Sequence, residues 1–435
     1  MQQRGARLLT IRTFEDACRF LYPRTTGGIK WGLETTEALL ASLGHPERHF
    51  AAVHVGGTNG KGSVSTLLAE ILRAGGWRVG LYTSPHLVSF RERVLVDGAP
   101  ITEDAVTCWA SRLEEPAVGL GATFFEISTA LAFADFAARG VEIAVVEVGL
   151  GGRLDSTNVI TPLAAGVTRI ALEHTEYLGH DLASIAREKA GIAKRDVPFV
   201  TTEADGAVAG VLLGAARARG AAAEHLDPRA CLARVEAGAA GVRFDAVTPV
   251  RRYSGLEMGL AGAYQAENAL LAVRLVELTG SRFPVDDRAI RDGLRTARLP
   301  GRFDRRGRWI FDVAHNPDGV RALAGVLRSV QPPRPLVAVV SILKDKAWRE
   351  MLETLAGSVD FLMLTRAPSA PAERAWDLAE PSRWARERGI EAAVEPEFGA
   401  ALDAASARGA TVLVTGSFHT VGDAMARLPG VAPLG

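Results

Sequence analysis

A strand-length apolar run, a glycine turn and a helical pattern follow one another between Phe50 and Ala74, FAAVHVGGTNGKGSVSTLLAEILRA. This stretch constrains the chain more than any other. Ala51 to Val55 reads as a buried strand, and Gly56, Gly57 and Gly60 make the turn before Lys61, Gly62 and Ser63. After Ser63, the apolar residues Val64, Leu67, Leu68, Ile71 and Leu72 recur at helical spacing. Such an order builds an anion site. Glycines let backbone N–H groups approach a phosphate, the helix N-terminus adds positive potential, and a lysine supplies countercharge. The usual phosphate-loop pattern asks for a glycine five before Gly60 and a hydroxyl directly after Lys61; Val55 and Gly62 stand there instead. A glycine turn beside a lysine can also be plain turn chemistry. With strand and helix both in place, nucleotide phosphate binding is the stronger reading.

The 435 residues have room for two or three domains, and 48% hydrophobic residues are ample for their cores. Lys plus Arg and Asp plus Glu are 50 each, which gives no general attraction to nucleic acid or an anionic membrane. Cys18, Cys108 and Cys231 lie far apart, so neither a disulfide framework nor a zinc site is expected. The opening MQQRGARLLTIRTFEDA carries charges where a signal peptide needs an apolar core, and the cytoplasm is the expected compartment.

Residues with chemistry recur where strands are expected to end. The strand Arg78 to Tyr82 runs into Thr83-Ser84-Pro85-His86-Leu87; Ser84 could offer magnesium a hard oxygen, though a capped turn reads as well. Phe124, Phe125 and Glu126 open the helix Ile127 to Ala138, as core residues and a dipole-favoured acid or as a platform for a flat heterocycle. Glu147 interrupts the apolar strand Val141 to Val148, and a carboxylate there needs a cationic partner, a metal or an arginine. The polar turn GLGGRLDSTN, Gly149 to Asn158, follows. His174 falls just past the strand Ala164 to Ile170, at the same level as Ser84 and Glu147. Lys189 closes an amphipathic helix from Asp181, as a solvated charge or as a partly buried amine of lowered pKa. Thr201 to Arg252 is rich in Ala and Gly and chemically quiet; Asn268 then falls in the first turn of the helix Ala269 to Leu278.

The pattern breaks near Leu299-Pro300-Gly301-Arg302-Phe303, which places the domain boundary between residues 299 and 300. A new series follows: strands Trp309 to Val313, Pro335 to Val340, Phe361 to Leu364 and Thr411 to Val414, separated by helical stretches. Strands alternating with helices predict a mostly parallel sheet covered by helices, an α/β fold.

Taken together, LETTEALLASLGHPERHFAAVHVGGTNGKGS, TSPHL, EVGLGGRLDSTN, HTEYLGHDLASIAREKAGI and FDVAHNPDG resemble the dihydrofolate synthase/folylpolyglutamate synthases of the Mur-ligase superfamily. Glu173 stands where that family usually has Asp, and Tyr264 where it often has His. The resemblance implies a P-loop nucleotide-binding domain over residues 1–299, with a folate pocket, and a smaller Rossmann-like α/β domain over 300–435. It implies that Thr58, Asn59, Gly60, Lys61, Gly62 and Ser63 bind ATP phosphates, with Asn268, Arg302 and Asp312 completing the nucleotide site. Ser84, Glu147 and His174 would bind magnesium, and a carbamylated Lys189 would help hold a second ion. His315 would sit near the phosphates. Gly32, Leu33, Thr123, Phe124, Phe125, Glu126, Leu154, Asp155 and Ser156 would line the pteroate pocket.

The implied reaction joins L-glutamate to dihydropteroate or to a reduced folate, using ATP, in a monomer with no nucleic-acid or membrane partner. Three rivals share the phosphate loop: a small-molecule kinase, another Mur-type amino-acid ligase, and a non-catalytic nucleotide-binding regulator. A cell-wall ligase would need an extra N-terminal domain, whereas about fifty residues precede the loop.

Overall fold

The computed structural model describes residues 11–25 and 31–432, so Gly27 to Lys30 of the GGIKWGLETT loop lie outside the described residues. Ala51–Gly56 (β1) pairs with parallel strands on both edges and is buried at every position. That double burial is why it is apolar throughout rather than alternating. The same sheet takes up Val79–Tyr82 (β2), Val94–Val96 (β3), Ala99–Pro100 (β4), Ile143–Glu147 (β5), Ala164–Val167 (β6), Pro198–Thr201 (β7) and Ala222–His225 (β8). Its eight strands run in the order β4-β3-β2-β5-β1-β6-β7-β8. Only the β2–β3 and β3–β4 pairs are antiparallel.

Val53 and Val55 share one core with Leu67, Leu68 and Ile71 of the helix Lys61–Ala74. Ala52 faces the other way, with Phe133 and Phe136 of the helix Phe124–Ala138. Burying each such leucine or phenylalanine contributes about 1.5–3 kcal/mol. The chain leaves β1 toward one edge of the sheet and leaves β5 toward the other. A crevice therefore opens at the carboxyl ends of these two neighbours, where open α/β sheets bind ligands.

The quiet stretch after Thr201 is richer than expected. Leu232–Gly238 (β9), Gly241–Val247 (β10) and Arg252–Met258 (β11) form an antiparallel sheet of order β11-β10-β9. Val242, Phe244 and Ala246 point into the core shared with Leu270 and Leu271 of the helix Tyr264–Thr279, while Arg243 stays exposed. The period-two pattern was present in GVRFDAV, but small residues on either side diluted it.

Beyond residue 300 a second large sheet contains Asp304–Arg306 (β12), Trp309–Asp312 (β13), Leu336–Val340 (β14), Phe361–Leu364 (β15), Ala392–Val394 (β16) and Thr411–Thr415 (β17). The order is β12-β13-β17-β14-β15-β16, parallel except for the edge strand β12. Ala338, Leu362 and Leu413 pack under the helices Pro317–Val330 and Trp348–Ala356. Val337, Val339 and Val412 pack on the opposite face, under Phe398–Arg408 and Phe418–Arg427. Helices on both faces of a parallel sheet make this lobe Rossmann-like. Among the described residues no helix is long and apolar enough to cross a membrane.

Candidate active site

A cleft of ≈ 850 Å³ lies between the two large sheets, and the phosphate loop forms one wall. Gly57 has φ +136°, and a Cβ there would sit 1.8 Å from Thr168 Oγ1. Gly60 has φ +98°, and its Cβ would lie 2.5 Å from Asn268 Oδ1. Both positions demand glycine on backbone and steric grounds. The loop is pinned where Thr58 N–H donates to the Arg169 carbonyl at 2.9 Å. No side chain caps the helix beginning at Lys61. Its first N–H groups are thus available to an anion. Lys61 Nζ folds back to donate to the Thr58 carbonyl at 3.0 Å.

Glu147 ends β5 and is buried, and its Oε2 accepts the Ser84 N–H at 3.2 Å. A Cβ on Gly62 would come 3.8 Å from the same oxygen, so the carboxylate lies against the phosphate loop. Burial pushes its pKa up, opposed by the Lys61 charge and the Ser84 N–H. His174 also lines the cleft, in the left-handed region at φ 51°. Burial, reinforced by Lys346 and Lys189, outweighs Glu173 and lowers the imidazole to about 4. Neutral imidazole is the form that binds a metal.

Lys189 does not face the cleft directly; it is buried behind the phosphate loop, with Nζ donating to the Gly57 carbonyl at 2.8 Å. Burial and then the Lys61 charge lower its pKa to about 7. Among the described residues no three His, Cys, Asp or Glu side chains make a ready-made metal cluster. Glu147 and Ser84, both lining the cleft beside the phosphate loop, offer hard oxygens. They suit magnesium, which keeps several waters and needs few protein ligands.

The far wall comes from beyond residue 300. Asp312 Oδ1 accepts Ala314 N–H and Oδ2 accepts Phe303 N–H, both at 2.9 Å. The Arg302 guanidinium lies over Phe418, 5.1 Å from the ring centroid. His315 places Nδ1 2.9 Å from the Val313 carbonyl and Nε2 2.8 Å from Glu173 Oε1. Asn268 donates to Gln265 Oε1 at 2.8 Å and faces Gly60 from the loop's other side.

The residues expected to line a second pocket form a separate group. The short helix Ser156–Val159 packs against both Phe124–Ala138 and Glu34–Ser42, so the three segments adjoin. Leu33 is the N-cap of Glu34–Ser42, with Gly32 before it, and Leu154 is half-buried. Phe125 meets Gly149, where a Cβ would fall 2.3 Å from the ring, and Gly149 itself lines the cleft. Phe124 is buried beside Tyr22 and Phe90. Glu126 Oε2 accepts the Thr123 N–H at 2.7 Å, and its buried Oε1 has no hydrogen-bond partner among the described residues. Asp155 holds its own loop instead: Oδ2 takes Leu150 N–H at 2.8 Å and Oδ1 takes Thr157 N–H at 3.0 Å. Ser156 is buried behind it.

Several groups in and around the cleft escaped the sequence reading. Lys346 follows β14 as Ser84 follows β2; the Lys344-Asp345-Lys346 run is legible there as a strand end, but without a role. Asp318 accepts from Asn59 Nδ2 at 2.9 Å and pairs with Arg169 at 3.0 Å. Arg93 is buried; its Nε donates to His86 Nδ1 at 2.7 Å, and its guanidinium lies 4.9 Å from the Phe124 centroid. The Asp318 contacts and the Arg93–Phe124 contact join distant parts of the chain and are invisible to periodicity.

A family model described as the Mur ligase middle domain matches residues 55–276, and one described as Mur ligase, glutamate ligase domain, matches residues 300–418. The dihydrofolate synthase/folylpolyglutamate synthase of Bacillus subtilis is 32% identical over 95% of this chain and 99% of its own length. The protein of that name from Escherichia coli is 34% identical, over 91% of each chain. Among solved structures, Mycobacterium tuberculosis folylpolyglutamate synthase complexed with ADP superposes with TM-score 0.88 at 33% identity, covering 95% of this chain and 97% of that one. E. coli FolC in complex with DHPP and ADP gives 0.84 at 32% identity, covering 96% and 98%. With matching domain models and relatives spanning nearly the whole chain, the protein belongs to the Mur ligase family, in its dihydrofolate synthase/folylpolyglutamate synthase branch.

Proposed function

We propose that this chain joins the amine of L-glutamate to the carboxylate of dihydropteroate and of reduced folates already bearing glutamate, driven by ATP. The observation that carries the reading is the convergence of both lobes on one uncapped helix N-terminus. Lys61, Glu147 and His174 from one side meet Arg302, Asp312 and His315 from the other around a single cleft. Residues 1–299 hold ATP and the folate, and residues 300–435 deliver the second lobe of the site.

The substrate carboxylate attacks the γ-phosphorus; the bond to the β-phosphate oxygen breaks and ADP leaves. The glutamate nitrogen then attacks the acyl carbon, loses its proton, and expels phosphate from the tetrahedral intermediate. The loop N–H groups and Lys61 offset charge on the transferring phosphoryl group, an electrostatic and positioning task. Arg302 and Asp312 orient the nucleotide, Asn268 steadies the loop from behind, and His315 stands near the phosphates. Magnesium would neutralise phosphate charge; Ser84, Glu147 and His174 would hold one ion, and a carbamylated Lys189 would help hold a second. The Lys189 amine, lowered to about 7, is substantially unprotonated near neutrality, the form to which carbon dioxide adds. No serine or cysteine nucleophile is required. The pocket of Phe124, Phe125, Glu126 and the Leu154–Ser156 turn takes the flat pteridine, with the orphaned Glu126 Oε1 free to accept an N–H. The protein acts as a monomer in the cytoplasm.

Mass spectrometry of products decides the matter. Purified protein with ATP, magnesium and glutamate should convert dihydropteroate to its glutamate adduct and extend tetrahydrofolate. ADP release without any adduct would point to a kinase or a hydrolase instead.

A further inference from the structure

Glu173 stands between the lobes. Its backbone belongs to the loop carrying His174, yet its side chain belongs to the opposite wall. One oxygen, Oε1, receives His315 Nε2 at 2.8 Å and Lys346 Nζ at 3.2 Å. These partners lie 142 and 173 residues further along the chain. The Glu173 and Lys346 side chains are only 9% and 13% exposed, so the pair is largely dry.

Hydrogen bonds tie the two walls together through this side chain. His315 faces the Val313 carbonyl through Nδ1 and the Glu173 carboxylate through Nε2. The ring thus spans from the end of its own strand to the carboxylate of the opposite lobe. One buried carboxylate thus links two side chains of the other lobe. Breaking such a partly desolvated link is costly, because it strands the remaining charges. A second set of contacts, Asn59 and Arg169 with Asp318, braces the other side of the phosphate loop.

We propose that Glu173 is a positioning residue: it sets the closed relation of the two lobes by holding His315 and Lys346 against the phosphate loop. Its removal slows the step that needs both walls far more than it weakens nucleotide binding, because the phosphate loop holds its end of the nucleotide unaided. This builds on the ligase reading but is tested apart from it.

The experiment is a double-mutant cycle of Glu173→Gln and Lys346→Met in the intact protein, with Glu173→Asp as the conservative variant. Readouts are kcat for glutamate adduct, the ADP Kd, and the radius of gyration with ADP bound, which does not depend on ligation. Each single variant should lower kcat about 30-fold or more, and the double should lose no more than about threefold beyond the worse single, because both cut one link. The ADP Kd should rise by less than about tenfold, well short of the kcat loss, and Glu173→Gln, Lys346→Met and their double should expand to a similar radius. Glu173→Asp, which keeps the charge, should retain more kcat and compactness than Glu173→Gln. Additive losses, an unexpanded Glu173→Gln protein, or an aspartate variant no better than the glutamine one would overturn the assignment. If wild type forms no adduct, the ligase reading fails, and the scattering cycle still decides whether Glu173 holds the lobes.

Discussion

Lys61 and Lys189 end on neighbouring carbonyls of one loop, Thr58 and Gly57, yet their surroundings give them different tasks. Lys61 opens onto the cleft, whereas Lys189 is sealed behind it. Replacing Lys189 by Ala should cut turnover about 100-fold or more, as expected when a group stabilising transferred charge is lost. Added acetate or propionate should restore part of it if a carboxylate on Lys189 is the working form; assays with and without the acid check this. Glu147→Gln should be as damaging to turnover while leaving the melting temperature within a few degrees of wild type. Equal activity would remove Glu147 from the metal site.

His54 is a separate residue-scale case. It lies fully buried on β1 with Nε2 2.9 Å from Thr157 Oγ1, and burial, with the Lys194 charge, lowers it to about 3. In the unfolded chain the imidazole protonates near its ordinary 6.5, so the unfolded state binds more protons over the window from 6.5 down to about 3. Stability should therefore fall with pH across that window, by about 1.4 kcal/mol per unit from this group. Urea midpoints at pH 7.5 and 5.5 measure the drop, and His54→Leu should flatten it.

At the scale of elements, the boundary between legible and illegible follows sequence distance. Both large sheets announced themselves because strands buried on two faces are apolar runs, and the strand ends carried the unusual residues. Glu147 was legible because a carboxylate inside Val-Val-Glu-Val has no bland explanation. The β9–β11 sheet was not, since alternation in one short strand among alanines and glycines looks like nothing in particular. Asp318 and Arg93 were missed for another reason, and Lys346 was visible at a strand end without a role: each has a partner that only the fold brings near. The phosphate-loop helix yields a direct test. Gly60→Ala forces a Cβ onto Asn268 at a backbone angle that L-residues avoid. It should weaken ADP binding by about tenfold or more and cost about 1–2 kcal/mol of stability. Calorimetric titration and thermal melts read both.

For the molecule as a whole, the phosphate site depends on a helix whose outer face leans on the small antiparallel sheet. Tyr264–Thr279 begins earlier than expected and carries Asn268 in its second turn beside Gly60, and Leu270 and Leu271 on the same helix share a core with Phe244 and Leu256. The alanine-rich stretch that looked inert is thus a buttress. A selection for inactive variants should return substitutions at Phe244 and Leu256, buried positions well away from the loop's glycines, alongside the expected hits in the loop itself. Those remote lesions would act by letting a wall sag rather than by removing any contact with ATP.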